Sequence, residues 1–189
     1  MKNKYIFLRH AETVRTPEVA SVDWPLTTDG LEKINEYIAN GEFIRADNKV
    51  TKIYASTEDK AIATVKPIAE SLNLPIETLE NFIELKREKK FLTDEEFADQ
   101  KKRELINREQ IENGVESANV ALDRFVEGIN LLEEKYFGEK ILICSHGTIL
   151  TLYFCHLLND FSTIYERFSK VNFCAIGEVE NGKIIKDIV

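Results

Sequence analysis

Two stretches far apart in the chain share one design, and together they restrict the possible folds more than any other feature. Tyr5-Ile6-Phe7-Leu8 is an uninterrupted apolar run that ends in Arg9 and His10. Ile141-Leu142-Ile143-Cys144, after Lys140, is another, and it ends in Ser145 and His146. Short apolar runs without polar alternation are the signature of strands covered on both faces, so each reads as an interior strand of a mostly parallel sheet. Open α/β sheets bind ligands outside the carboxyl ends of their strands. Each strand therefore delivers a histidine to a place where ligands sit, and the expectation is that the two ends meet in one site.

The rest of the chain alternates accordingly. A loop over residues 11–28, carrying Pro17 and Pro25, leads to a helix over 28–42 with Thr28 as N-cap and a stripe of Leu31, Ile34, Ile38 and Ala39. A strand over 52–56 and a helix to about Leu72 follow, with Pro67 expected to kink that helix. Pro75–Leu79 reads as a short strand. Residues 84–113 are rich in charge and are read as loop and helix forming a cap. A long helix over 117–136 repeats Leu122, Phe125, Val126, Ile129 and Leu132 at helical spacing, and the off-line Val120 and Leu131 suggest a broad buried face. A strand at 139–145, a helix at 148–158 and a final hairpin about Asn181-Gly182 complete the series. The fold class expected is α/β, a three-layer α/β/α sandwich with a mostly parallel central sheet. At 189 residues it reads as a single domain with a cap or insertion at about 84–113.

Composition narrows the function. A net charge of −8 argues against a partner surface of nucleic acid or anionic membrane. Cys144, Cys155 and Cys174 lie in or beside apolar segments, cannot all pair, and have no zinc spacing, so they read as reduced core residues. Only four consecutive apolar residues, Tyr5 to Leu8, precede Arg9, too few for a signal-peptide core. Residues 141–159 lack Asp, Glu, Lys and Arg, but Ser145-His146-Gly147 divides them into a strand-like and a helix-like half. No membrane span is expected, and the location expected is cytoplasmic.

The matched histidines suggest phosphoryl chemistry. A neutral imidazole is a competent nucleophile toward phosphorus. Phosphoryl transfer needs little beyond alignment and positive charge around the non-bridging oxygens. Arg9 offers a two-pronged fork for them. A charged second histidine, and free backbone N–H groups where a helix begins near Thr148, would add donors. A carboxylic acid with a raised pKa would protonate the leaving alkoxide. His156, within an apolar helix, reads as structural.

These residues also carry a family resemblance. Leu8-Arg9-His10-Ala11-Glu12-Thr13 resembles the LRHGET motif of the histidine phosphatase superfamily, in the branch that includes cofactor-dependent phosphoglycerate mutases. Pro25-Leu26-Thr27-Thr28-Asp29-Gly30 resembles PLTxxG, and Ile53 to Thr64 resembles IYSSxxxRAxxT. Phe82-Ile83-Glu84 stands in the place of LxE, Gly114-Val115-Glu116-Ser117 in that of GGES, and Cys144-Ser145-His146-Gly147 in that of VSHG. Asn172 and the final hairpin fit as well. The resemblance implies a phosphoglycerate mutase-like fold and His10 as the phosphorylated nucleophile. It further implies Arg9, His146 and Lys60 around the phosphate, Glu84 as proton donor, and no metal or organic cofactor. The expected partner is a small phosphorylated metabolite.

The departures from the pattern matter. Ala11 replaces glycine, and Thr16 replaces an asparagine but keeps a donor. Lys60 replaces arginine, keeping charge while losing the fork. Arg15 compensates for that loss or is a solvated surface charge. Leu85-Lys86-Arg87-Glu88-Lys89-Lys90 replaces a WEG-like segment and either recognises an anionic substrate or is a solvated face. Glu80, Glu88 and Glu12 compete with Glu84 for the acid role. The leading expectation is a phosphomonoester hydrolase, a histidine acid phosphatase-like enzyme. Its rivals are mutase-type phosphoryl transfer and a weakly active or inactive phosphate-binding regulatory protein.

Overall fold

The computed structural model describes residues 2–16, 23–44, 49–88 and 92–189. Pro17 of the first loop, and Lys89 and Lys90 of the basic run, lie outside the described residues. Strand β1 (Lys4–Arg9) is followed by α1 (Thr28–Ala39), β2 (Lys52–Ala55), α2 (Asp59–Leu72) and β3 (Ile76–Thr78). Then come α3 (Asp94–Ile106), α4 (Ala118–Lys135), β4 (Lys140–Ser145), α5 (Gly147–Leu158) and α6 (Ile164–Lys170). Strands β5 (Ile176–Glu180) and β6 (Lys183–Lys186) close the chain. The sheet order is β3-β2-β4-β1-β5-β6, parallel from β3 to β1 and antiparallel beyond it.

Both faces of the sheet are covered, which is why its inner strands are apolar throughout rather than alternating. Ile6, Leu8, Ile53, Ala55, Leu142 and Cys144 pack with Ile34 of α1 and Ala61, Val65 and Ile68 of α2. Tyr5, Phe7, Tyr54, Ile141 and Ile143 point the other way, onto Leu122, Phe125 and Ile129 of α4 and Ile149, Leu152 and Tyr153 of α5. This is the three-layer sandwich, and it has one consequence for function. The connection after β1 runs to the α1 face and that after β4 to the α5 face, so the chain diverges above two adjacent strand ends. A crevice at such a point is the usual ligand site of open α/β sheets.

Local details differ from the sequence reading in instructive ways. The N-cap of α1 is Thr27, whose hydroxyl accepts the Gly30 N–H, one residue earlier than expected. Pro67 lies within a continuous α2. Val120 and Leu131 are exposed, so the buried stripe of α4 is narrow rather than broad. Helix α6 and a 3-10 turn at Glu80–Phe82 had no clear periodic signal. The charged 84–113 segment does contain a helix, α3, started by a reciprocal capping box between Thr93 and Glu96. Asn181 and Gly182 both have positive φ, the geometry of a two-residue hairpin turn. The apolar 141–159 stretch is β4 followed by α5, and no helix among the described residues is long and apolar enough to cross a membrane. All three cysteines are buried and unpaired.

Candidate active site

Register brings the two histidines together. Leu8 pairs with Cys144 and Arg9 with Ser145 across β1 and β4, and the His10 N–H donates to the Ser145 carbonyl at 2.9 Å. The Ser56 N–H donates to the Cys144 carbonyl at 2.9 Å, so the end of β2 stands at the same level. The imidazole centroids of His10 and His146 are 5.1 Å apart, and both rings are buried.

Each ring has a defined environment. The Nδ1 of His10 lies 2.8 Å from the Ala11 carbonyl oxygen. A carbonyl can only accept, so Nδ1 carries the proton and Nε2 holds the lone pair of the neutral ring. Burial, together with the nearby His146, Lys60 and Arg9, pushes the His10 pKa well below 6.5 and keeps the ring neutral. The Nε2 of His146 lies 2.8 Å from Ser56 Oγ, which also accepts the Glu58 N–H at 3.2 Å. The Nδ1 of that ring is a buried atom with no hydrogen-bond partner among the described residues. Burial, then the charges of Lys60, Arg9 and Arg87, lower the His146 pKa to about 3, against the pull of Glu84. The charged second histidine expected from the sequence is therefore a neutral one, still with an N–H to donate.

Arg9 packs its guanidinium 4.1 Å over the Phe173 ring and donates to the Val171 carbonyl, while its Nε is buried without a protein partner. Phe173 also lies against His10, with centroids 5.5 Å apart. The next residue, Cys174, has φ of 60°, an uncommon conformation for a non-glycine that turns the chain into β5. Gly147 is required beside Arg9: a Cβ there would stand 3.0 Å from the guanidinium carbon. Phe173 was not singled out from sequence; Asn172, its neighbour in the family pattern, was the available pointer.

Lys60 is buried at the start of α2, and its Nζ lies 2.9 Å from Glu58 Oε2. Glu58 was also missed. Its other oxygen accepts the Glu84 N–H at 3.0 Å and stands 3.4 Å from His146 Nε2. Its place in the motif, two residues before Lys60, was the available signal.

Glu84 departs most from expectation. Its carboxylate accepts the N–H groups of Leu85 (2.9 Å), Thr148 (3.0 Å) and Ile149 (3.2 Å). It thus caps α5, whose own N-cap residue, His146, makes no side-chain cap. The helix N–H groups expected to be free for an external anion are occupied by this side chain. Burial works to raise the Glu84 pKa, but Lys101, His146, Arg87 and the Leu85 N–H outweigh it, and the carboxyl is held well below its ordinary range. The raised pKa expected of a proton donor is not found. Arg124 of α4 fixes this segment by donating to the carbonyls of Glu80, Asn81, Ile83 and Glu84 and to Glu116.

The cap adds charge. Lys101 of α3 is 1% exposed, 2.6 Å from Glu104, and desolvation with the Arg87 charge lowers its pKa to about 8. Arg87 lies over the Phe97 ring at 5.5 Å and acts electrostatically on both His146 and Glu84. The basic run therefore divides: Arg87 faces the site, whereas Lys86 is exposed and pairs with Glu80. Arg15 ion-pairs with Asp94 and donates to the Leu92 carbonyl, which ties the first loop to the start of α3. Thr16 keeps a buried hydroxyl without a hydrogen-bond partner among the described residues. Of the competing carboxylates, Glu12 accepts the Thr27 hydroxyl and Glu80 pairs with Lys86. His156 is exposed in the last turn of α5, away from the pair.

A sheet of this order, with two buried imidazoles and an arginine at adjacent strand ends, defines an α/β protein of the phosphoglycerate mutase-like type. The sequence profile of the histidine phosphatase superfamily (branch 1) matches residues 5–182, and the chain belongs to that superfamily. Among solved structures it is similar to a phosphoserine phosphatase variant from Entamoeba histolytica bound to phosphoserine. The TM-score there is 0.73 at 20% identity, over 97% of this chain and 94% of that one. It is similar also to Bacillus stearothermophilus YhfR (TM-score 0.76, 19% identity, 97% and 95% covered). A third is a mycobacterial glucosyl-3-phosphoglycerate phosphatase (TM-score 0.73, 15% identity, 93% and 88% covered). No curated protein sequence matches significantly.

Proposed function

We propose that this protein is a phosphomonoester phosphatase working through a phosphohistidine on His10. The observation that carries the reading is the tautomer of that ring. With Nδ1–H held by the Ala11 carbonyl and the ring kept neutral by burial, Nε2 presents a lone pair beside a second imidazole and Arg9. Nε2 attacks phosphorus, the bond to the leaving oxygen breaks, and the phosphoryl group is carried on His10. Arg9, Lys60, His146 and the Thr16 hydroxyl surround its oxygens. Water then attacks the phosphohistidine, releasing phosphate and restoring the ring.

Glu84 is the proton donor on this reading, but only once substrate is present. A phosphate dianion beside the carboxylate raises its pKa, so protonation accompanies binding. The leaving oxygen takes that proton as its bond to phosphorus breaks. The substrate is a small phosphorylated metabolite; the enzymes of similar fold bind phosphoserine or act on glucosyl-3-phosphoglycerate, and Arg87 and Lys101 supply positive charge on the cap side.

Hydrolysis of an aryl phosphate by wild type and His10→Ala is the test. Loss of at least about a thousandfold in kcat/KM is expected, and equal turnover ends the proposal. A weakly active, phosphate-binding role is the second reading, favoured by the Lys60–Glu58 pair. Tight phosphate binding without turnover, unchanged by Lys60→Arg, would select it.

A further inference from the structure

Glu58 belongs to no part of the mechanism above, yet it touches more of the site than any other side chain outside it. One oxygen is 2.9 Å from Lys60 Nζ; the other accepts the Glu84 N–H and stands 3.4 Å from His146 Nε2. Its own N–H goes to Ser56 Oγ, the hydroxyl 2.8 Å from His146 Nε2. Both Lys60 and Glu58 are nearly inaccessible, at 8% and 11% side-chain exposure. A carboxylate inside a pocket built for an anion calls for a physical reason.

We propose that Glu58 is a resident counter-anion that holds Lys60 and weakens the pocket's grip on phosphate, a specificity-determining residue of this chain. An ammonium on a four-carbon stem is a mobile point charge, unlike a guanidinium fork, and a lysine at position 60 needs a partner to fix its place. Glu58 supplies one through a buried ion pair. The cost is electrostatic: its negative charge lies beside the oxygens of any phosphoryl group that Lys60 contacts. The pocket then binds bare phosphate weakly and releases it readily. A substrate must gain the rest of its affinity from contacts beyond the phosphoryl group.

This rests on the phosphate pocket assigned above, but its test does not need turnover. Inorganic phosphate is titrated calorimetrically into wild type, Glu58→Gln and Glu58→Asp, each checked by thermal melting. Removing one negative charge a few ångströms from a dianion should tighten phosphate binding by about tenfold or more in Glu58→Gln, with little change in Glu58→Asp. Glu58→Ala removes the same charge with less bulk and must tighten binding likewise. Lys60→Gln should weaken binding, and adding Glu58→Gln to it should bring affinity back toward wild type, because the negative charge opposes phosphate in either background. A merely structural Glu58 would give weaker binding or none in Glu58→Gln. That outcome, or unchanged affinity, overturns the proposal whether or not His10→Ala is inactive. Failure of the phosphatase reading would instead appear as turnover indifferent to His10.

Discussion

The behaviour of individual residues here is governed by proton placement in a buried, positively charged pocket. His10 has its folded pKa depressed by burial and by three neighbouring groups, so its ring remains neutral as pH falls through 6.5. Activity toward an aryl phosphate should therefore not decline between about pH 7 and 5, where an ordinary imidazole nucleophile would be lost to protonation. A pH–rate profile checks this, and a bend near 6.5 would speak against the assigned environment. Glu84 is depressed as well, and on the proposed mechanism its proton matters only when the leaving group is poor. Glu84→Gln should lower turnover of an alkyl phosphate by about a hundredfold or more and that of a nitrophenyl phosphate far less. Equal losses on the two substrates would remove Glu84 from the acid role and leave it as the cap of α5.

At the level of elements, helix α4 does two jobs with two consecutive residues. Phe125 is fully buried against Phe7, Phe82 and Tyr153, so Phe125→Ala should cost about 3–5 kcal/mol in urea unfolding. Arg124, one residue earlier, holds four backbone carbonyls of the 80–84 segment. Arg124→Lys keeps the charge but loses the fork. It should lower kcat with KM little changed, because Glu84 would be misplaced while the phosphate cradle stays intact. A loss of phosphate affinity instead would mean that Arg124 shapes the cradle itself. The strands, α4 and the hairpin were legible because apolar runs and helical repeats report burial directly. The cap was not: α3 is mostly charged, and nothing in its composition says that Lys101 is buried while Lys102 is exposed. Its start was marked all the same, since Thr93 and Glu96 have capping-box spacing. Glu84 could be located from its motif, but its bonds to the α5 amides depend on a packing of distant segments that no local pattern encodes.

For the molecule as a whole, the sheet is a device for placing two distant pieces of chain at one height. Residues 10 and 146 meet because β1 and β4 are parallel, adjacent and in register, and because their connections leave toward opposite faces. The histidines, Arg9 and Lys60 were visible in the sequence as motifs, and the structure brings them together. Glu58 and Phe173 were not visible, because their importance lies in what they touch. The central claim is that a phosphoryl group passes through His10. Incubation with a radiolabelled aryl phosphate, a rapid alkaline quench and peptide mapping addresses it directly. A base-stable, acid-labile label should appear on the peptide containing His10 within the first turnover and be absent from His10→Ala. Full hydrolysis with no label on that peptide, or a label that persists in His10→Ala, would contradict it.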